Sequence, residues 1–264
     1  MKKIILRLAI VICAGVLAFS SFRLFQIYQD YHAGTTLYQS VSDQYTTDAP
    51  LEATPGETGA VPSASTPGGE AGTPAVTAPL QVDFAALWEA NPDVVGWIYC
   101  PGTTIDYPIL QADDNDAYLR HMLDGSYNTA GSIFLDCSCA GDFSGANTIV
   151  YGHNMKNGSM FGCLPDYAEQ EFYDEHPVIW IFTPEHTWQV ELIAGGVISD
   201  EDDLYILLSD TPELRERVAD IQSRSTFSPR WTGMEWPQVI TFSTCSYEYE
   251  GARFVLLGVP LELS

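Results

Sequence analysis

Between Thr46 and Pro79 the chain reads TTDAPLEATPGETGAVPSASTPGGEAGTPAVTAP, a stretch of Pro, Gly, Ala, Ser and Thr with almost no large apolar residue. Such a composition cannot bury enough apolar surface to offset the entropy of ordering it, so it reads as a flexible tether to which proline adds some stiffness. A chain of 264 residues could hold one large domain or two small ones. The tether leaves room for one, beginning near Leu80.

What the tether holds is set by the N-terminus, MKKIILRLAIVICAGVLAFSSFR. A basic lead is followed by an apolar run from Leu8 to Phe22 and closed by Arg23. This is an export signal. The run is short for a bilayer span of ~20 residues unless Ile4, Ile5 and a snorkelling Arg7 extend it. The apolar residues that follow at helical spacing (Leu24, Phe25, Ile27, Tyr28, Tyr31) favour a retained anchor over a cleaved signal. Lys2, Lys3 and Arg7 then keep the N-terminus in the cytoplasm and place the remainder outside the cell. The expected division is an anchor over residues 1–23, an extracellular stalk and linker over 24–79, and a folded domain over 80–264.

With 35 acidic residues against 11 Lys and Arg, the chain would repel a phosphate backbone, so nucleic-acid binding is not expected. Six cysteines in an exported chain invite a disulfide framework. Their spacing argues against a dense one: Cys13 lies in the apolar run, Cys100, Cys137, Cys139 and Cys163 are scattered, and Cys245 stands alone. Cys137 and Cys139 form a C-x-C with no C-x-x-C or paired histidines, so no metal or other cofactor is expected.

Past Leu80, Phe84, Leu87 and Trp88 sit at helical spacing before Asn91-Pro92 ends the run. Short stretches rich in Val, Ile, Tyr and Phe follow, punctuated by Gly, Pro, Asn and Asp: GWIYC, YPILQ, GSIFLD, NTIVYGH, VIWIFTP, TWQVELIAGGVIS, QVITFSTC and RFVLLGVP. These predict a mostly β domain of about eight strands, closed into a barrel rather than doubly wound. Only Thr211 to Ser225 reads as a later helix, with Thr211 as N-cap, Pro212 in the first turn and Leu214, Val218 and Ile221 on one face.

Two segments carry candidate chemistry. In NTIVYGHNMKNGSMF a strand runs into Gly152, His153 and Asn154, and a histidine at a strand end suits proton transfer. In QVITFSTCSYEYEGARFVLLG, Cys245 ends one strand and Arg253 opens the next beyond a turn containing Gly251. If these strands form a hairpin, thiol and guanidinium face one pocket. Thiol acyl transfer needs a nucleophile, a cation or donor beside the developing oxyanion and an acid for the leaving amine, and Cys245, Arg253 and His153 supply that set. A buried inert thiol and a surface cation beside Glu248 and Glu250 are the plain alternatives.

Thr241-Phe242-Ser243-Thr244-Cys245 with Arg253 resembles the TLxTC…R signature of sortases, the Gram-positive cell-wall transpeptidases. Tyr151 to Lys156 (YGHNMK), followed by Ser159-Met160-Phe161, is similar to the histidine segment of class B sortases. NPDVVGWI (91–98), GTTIDYPILQ (102–111), DNDAYL (114–119) and GSIFLD (131–136) resemble that class in the same order. Phe242 stands where the signature usually has Leu, an apolar exchange. The resemblance implies an eight-stranded barrel with N-terminal helices and one late helix. It also implies that Cys245 attacks the carbonyl after the Thr of an NPxTN-like sorting signal, that His153 protonates the leaving amine, and that an amine of a peptidoglycan precursor resolves the thioacyl enzyme, without Ca²⁺. Partners would be surface proteins carrying that C-terminal signal, and the enzyme would sit on the membrane. Ser243, Asn115 and Leu119, with Tyr205 and Ile206, match substrate-groove positions. Alternatives are a pilin-polymerising class C sortase, whose usual lid and C-terminal hydrophobic helix are not evident, a thiol hydrolase with the same site, and a tethered non-catalytic barrel that binds a surface partner.

Overall fold

A computed structural model describes residues 2–49, 77–231, 233 and 236–263. Most of the Pro- and Gly-rich tether, residues 50–76, lies outside the described residues. The elements are α1 (Lys2–Tyr45), β1 (Thr46–Asp48), β2 (Leu80–Val82), α2 (Phe84–Ala90), β3 (Val94–Tyr99), β4 (Asp106–Leu110), β5 (Ile133–Leu135), β6 (Asn147–Tyr151), α3 (Gln170–Glu175), β7 (Val178–Phe182), β8 (Thr187–Ser199), α4 (Pro212–Ser223), β9 (Val239–Cys245) and β10 (Ala252–Glu262). Two 3₁₀ turns, Leu164–Ala168 and Asp203–Tyr205, complete them.

Eight strands close into a barrel in the order β10-β8-β7-β3-β4-β5-β6-β9. The pairs β4·β5 and β6·β9 are parallel and the rest antiparallel. A parallel pair cannot be joined by a tight hairpin, and the long crossover from β6 to β9 carries α3, β7, β8 and α4. The eight strands expected from the sequence are the eight of the barrel, β1 and β2 being additional, and Thr211 caps α4 as expected, its Oγ1 accepting from Leu214 N at 3.2 Å.

Side chains alternate along β9 and β10 between two cores. Ile240, Phe242, Phe254 and Leu256 join the large cluster that also holds Ile98, Ile109 and Ile133. Val239, Val255, Leu257 and Val259 face the other way and pack with Leu214, Val218 and Ile221 of α4. Each of these three α4 side chains contributes roughly 1.5–3 kcal/mol by burial, which fixes α4 on the outside of the barrel wall. Ser243 and Cys245 share the parity of Val239, so they lie on that outer face.

The segment read as a stalk divides. The helix of the apolar run continues to Tyr45, and its last turns dock on the barrel: Tyr38 and Val41 are buried, and Tyr38 Oη donates to Gly131 O at 2.8 Å and lies 2.8 Å from Ser132 Oγ. β1 then pairs with β2, so the start of the tether is held against the start of the domain. Aromatic and aliphatic residues of α1 that look like linker helix in sequence thus form part of the large core. Nearer the N-terminus Leu17, Phe19, Phe22, Leu24 and Phe25 are exposed. Among the described residues α1 is the one helix long and apolar enough to cross a membrane. All six cysteines are free thiols.

Candidate active site

β6 and β9 run side by side in parallel with Tyr151 opposite Ser243. Gly152 continues the register: its N–H donates to Ser243 O at 3.2 Å and its carbonyl accepts from Thr244 Oγ1 at 2.7 Å. A Cβ at Gly152 would lie 2.5 Å from Ile133 Cδ1 and 2.7 Å from the Phe161 ring, so no larger residue fits where the chain leaves the strand. Phe161 in turn packs edge-on against Phe242, ring centroids 6.2 Å apart. The aromatic ring at the usual leucine position of the signature therefore supports the histidine-bearing loop.

His153 follows. Its Nε2 lies 2.8 Å from Leu119 O; a carbonyl can only accept, so Nε2 carries the proton and Nδ1 is the free ring nitrogen. Asn154 Nδ2 donates to Cys245 O at 2.9 Å, tying the loop to the residue that bears the thiol. Arg253 lies directly opposite Cys245 on β10, and side chains of such cross-strand pairs share a face. The guanidinium donates from Nη2 to Asp200 Oδ2 at 3.2 Å and from Nη1 to Ala252 O at 3.1 Å. Its carboxylate partner is therefore Asp200, not Glu248 or Glu250.

These three residues line one groove of about 320 Å³ together with Asn115, Leu119, Tyr151, Tyr205 and Ser243. Ile206 does not line it; its side chain is 75% exposed beside Tyr205. Tyr205 reaches the groove because buried Asn147 donates from Nδ2 to Leu204 O (2.9 Å) and Leu207 O (3.3 Å), pinning that turn over the barrel wall. Tyr205 Oη then lies 2.8 Å from Ser243 Oγ, and its ring stacks on Tyr151, centroids 6.1 Å apart. Burial pushes the Tyr205 phenol up to about 12, so it stays neutral. Asn115 lines the groove but is engaged at both ends of its amide: Nδ2 donates to Asp136 Oδ2 at 2.9 Å and Oδ1 accepts from Cys137 N at 2.8 Å.

Sequence reasoning did not single out Asn154, Thr244, Asp136 or Asp200. The first two adjoin the quoted motifs, so their position was a usable signal. Asp136 and Asp200 meet their partners only through the barrel.

Desolvation holds His153 below the ordinary histidine value; its bond to Leu119 O opposes this and the charge of Arg120 adds to it. If thiolate and imidazolium act together, the reactive form appears as pH rises through the histidine step. The acid limb of kcat/KM is thus expected to have its midpoint below the ordinary histidine value of 6.5. A midpoint at or above that value in a pH–rate profile would contradict it.

Gly251 sets the turn that returns β10 to Cys245. Its φ is +78°, and an added Cβ would stand 2.5 Å from Asp200 Oδ1. Gly251→Ala should cost about 1–2 kcal/mol from the left-handed backbone and displace Asp200 as well. The check is the urea unfolding midpoint; an unchanged midpoint would mean that the turn relaxes freely.

A β-barrel whose wall presents thiol, imidazole and guanidinium in a single groove has the layout of a thiol enzyme. Relatives narrow this. Sortase B of Listeria monocytogenes is 35% identical over 194 residues, 72% of this chain and 78% of the relative. Sortase B of Staphylococcus aureus is 29% identical over 189 residues, 70% of this chain and 77% of the relative. Among solved structures, a Staphylococcus aureus sortase B–substrate complex superposes with a TM-score of 0.62 at 27% identity, over 69% of this chain and 85% of that one. Sortase B from Bacillus anthracis in complex with AAEK1 gives 0.68 at 26% identity, over 89% of this chain and all of that one. No protein-family model matches the chain. The chain belongs to the class B sortases, which are cysteine transpeptidases.

Proposed function

We propose that this sortase is held in the membrane by α1, with its barrel outside the cell, and that it joins surface proteins to the cell wall. Cys245 attacks the carbonyl after the Thr of an NPxTN-like C-terminal sorting signal. Arg253 faces the oxyanion that develops, and His153 gives its proton to the departing amine. An amine of a peptidoglycan precursor then displaces the thiolate from the thioacyl enzyme. Ser243, Leu119, Tyr205 and Asn115 line the groove that takes the signal; Ile206, outside it, would meet only residues beyond the motif.

The observation that carries this reading is the convergence of Cys245, Arg253 and His153 on one groove from β9, β10 and the end of β6. That the Staphylococcus aureus sortase B was solved as a substrate complex supports substrate binding by this fold. The exposed apolar residues of α1 between Ile10 and Phe25 support the anchor.

The test is incubation of the full chain with NPxTN-type peptides, with and without an amine acceptor. Cleavage after Thr and an amide product that grows with amine concentration are expected. Hydrolysis alone at high amine concentration would replace the transpeptidase reading with a thiol hydrolase.

A further inference from the structure

Behind His153, α1 and the barrel enclose a second groove of about 300 Å³. Ile27, Asp30 and Tyr31 of α1 form one side, and Arg120, Lys156 and His153 itself belong to the other. His153 therefore borders both grooves.

Charge sets this groove apart. In a chain with 35 acidic residues and 11 basic ones, Arg215, Arg217, Arg224, Arg230 and Arg253 each lie within ion-pair distance of a carboxylate. Among the described arginines and lysines outside the apolar run of α1, where Arg7 and Arg23 also lack one, Arg120 and Lys156 have no such partner. Arg120 donates only to the carbonyl of Thr129, at 3.3 Å. Asp30, the carboxylate that lines this groove, is turned onto Thr129, accepting from its hydroxyl and from its backbone N–H at 3.4 Å. Two cations left unpaired on one groove, in so acidic a protein, favour an anionic occupant.

The groove also has a defined height. At roughly 1.5 Å per helical residue, Ile27 and Tyr31 stand about 6 and 12 Å beyond Arg23, where the proposed anchor leaves the bilayer. A molecule carried by the membrane would enter there.

We propose that this groove is the acceptor subsite, and that the acceptor amine carries an anionic group, a carboxylate or a phosphate, which Arg120 and Lys156 hold beside His153. This rests on the thioacyl reading above. In the step it serves, the amine nitrogen forms a bond to the acyl carbon, the C–S bond breaks, the electron pair returns to Cys245 Sγ, and the amine proton passes to Nδ1 of the neutral His153. Because the occupants of the two grooves would approach the thioester from either side of the imidazole, one histidine can serve both half-reactions.

The experiment uses the full chain in nanodiscs, acylated with an NPxTN-type peptide and the adduct quantified by mass spectrometry. Transfer is then compared for glycylglycine, glycylglycinamide and 3-aminopropyl phosphate. With two exposed charge contacts, kcat/KM for an anionic acceptor should exceed that for the amide by about three- to tenfold. That ratio should fall to about one in the Arg120→Gln/Lys156→Gln variant, and in the unaltered protein at about 1 M salt. Because each ratio is taken within one protein, a general loss of activity cancels. The preferred anion identifies the source as carboxylate- or phosphate-bearing. An equal rate for anionic and amide acceptors, or a ratio that survives both the double substitution and high salt, would overturn the subsite. Failure to form any acyl-enzyme would instead overturn the thioacyl reading, and the subsite with it.

Discussion

Cys245→Ala is expected to abolish the thioacyl adduct and lower cleavage of a sorting peptide by about 10⁴-fold or more, the scale seen when a covalent nucleophile is removed. The chain has five other free thiols, so the adduct must also be located. Burial pushes Cys139 up to about 11 and Cys163 up to about 12, and it raises Cys100 as well. Those thiols are protonated at neutral pH and poor nucleophiles. Peptide mapping after labelling with a thiol-reactive sorting-peptide analogue should therefore find the label on Cys245. Cys245 is half-buried at a strand end, so alanine removes one sulfur without opening the core, and thermal unfolding should change little. Retained cleavage in this variant, or a label found on Cys137, would remove Cys245 from the mechanism.

Arg253→Gln is expected to reduce kcat by about 10²–10³-fold, the range for losing a charge-stabilising donor at an oxyanion. Two effects add here. The guanidinium opposite the thiol disappears, and its partner Asp200, which also lines the groove, becomes an uncompensated carboxylate beside the reacting carbonyl. Arg253→Lys keeps a positive charge but loses the planar fork that can meet Asp200 and a substrate oxygen together. It should recover only part of the loss. The measurement is single-turnover acylation with a sorting peptide, which isolates this step from resolution by the amine. An Arg253→Gln enzyme that acylates within about fivefold of the parent would fall well short of an oxyanion role, and Arg253 would then be a surface ion pair.

Much of the fold was legible because its signals are local. The β-branched and aromatic runs punctuated by turn residues became the strands of the barrel. Thr211 and Pro212 started α4, since an N-cap and a first-turn proline act within one turn. The sequence puts Cys245 and Arg253 on one pocket only if their strands form a hairpin; they do, and the register sets the two residues opposite each other. The closure of the barrel was less accessible. It depends on β6 meeting β9 in parallel, a pairing that no local preference encodes, and on that pairing rests the approach of His153 to Cys245.

The sequence by itself determined the element types, the apolar run of α1 and the identity of the candidate reactive side chains, all set by neighbours within a few residues. Tertiary structure decided which partner each of those side chains received. Asp200 rather than Glu248 or Glu250 took Arg253, Leu119 O took His153, Asn154 took the backbone of Cys245, and α1 closed over the far side of the imidazole. In a chain with 35 carboxylates, composition leaves the pairing of each cation open. Strand register and the docking of α1 choose it, because an ion pair forms only where the backbone has already brought the two groups within reach.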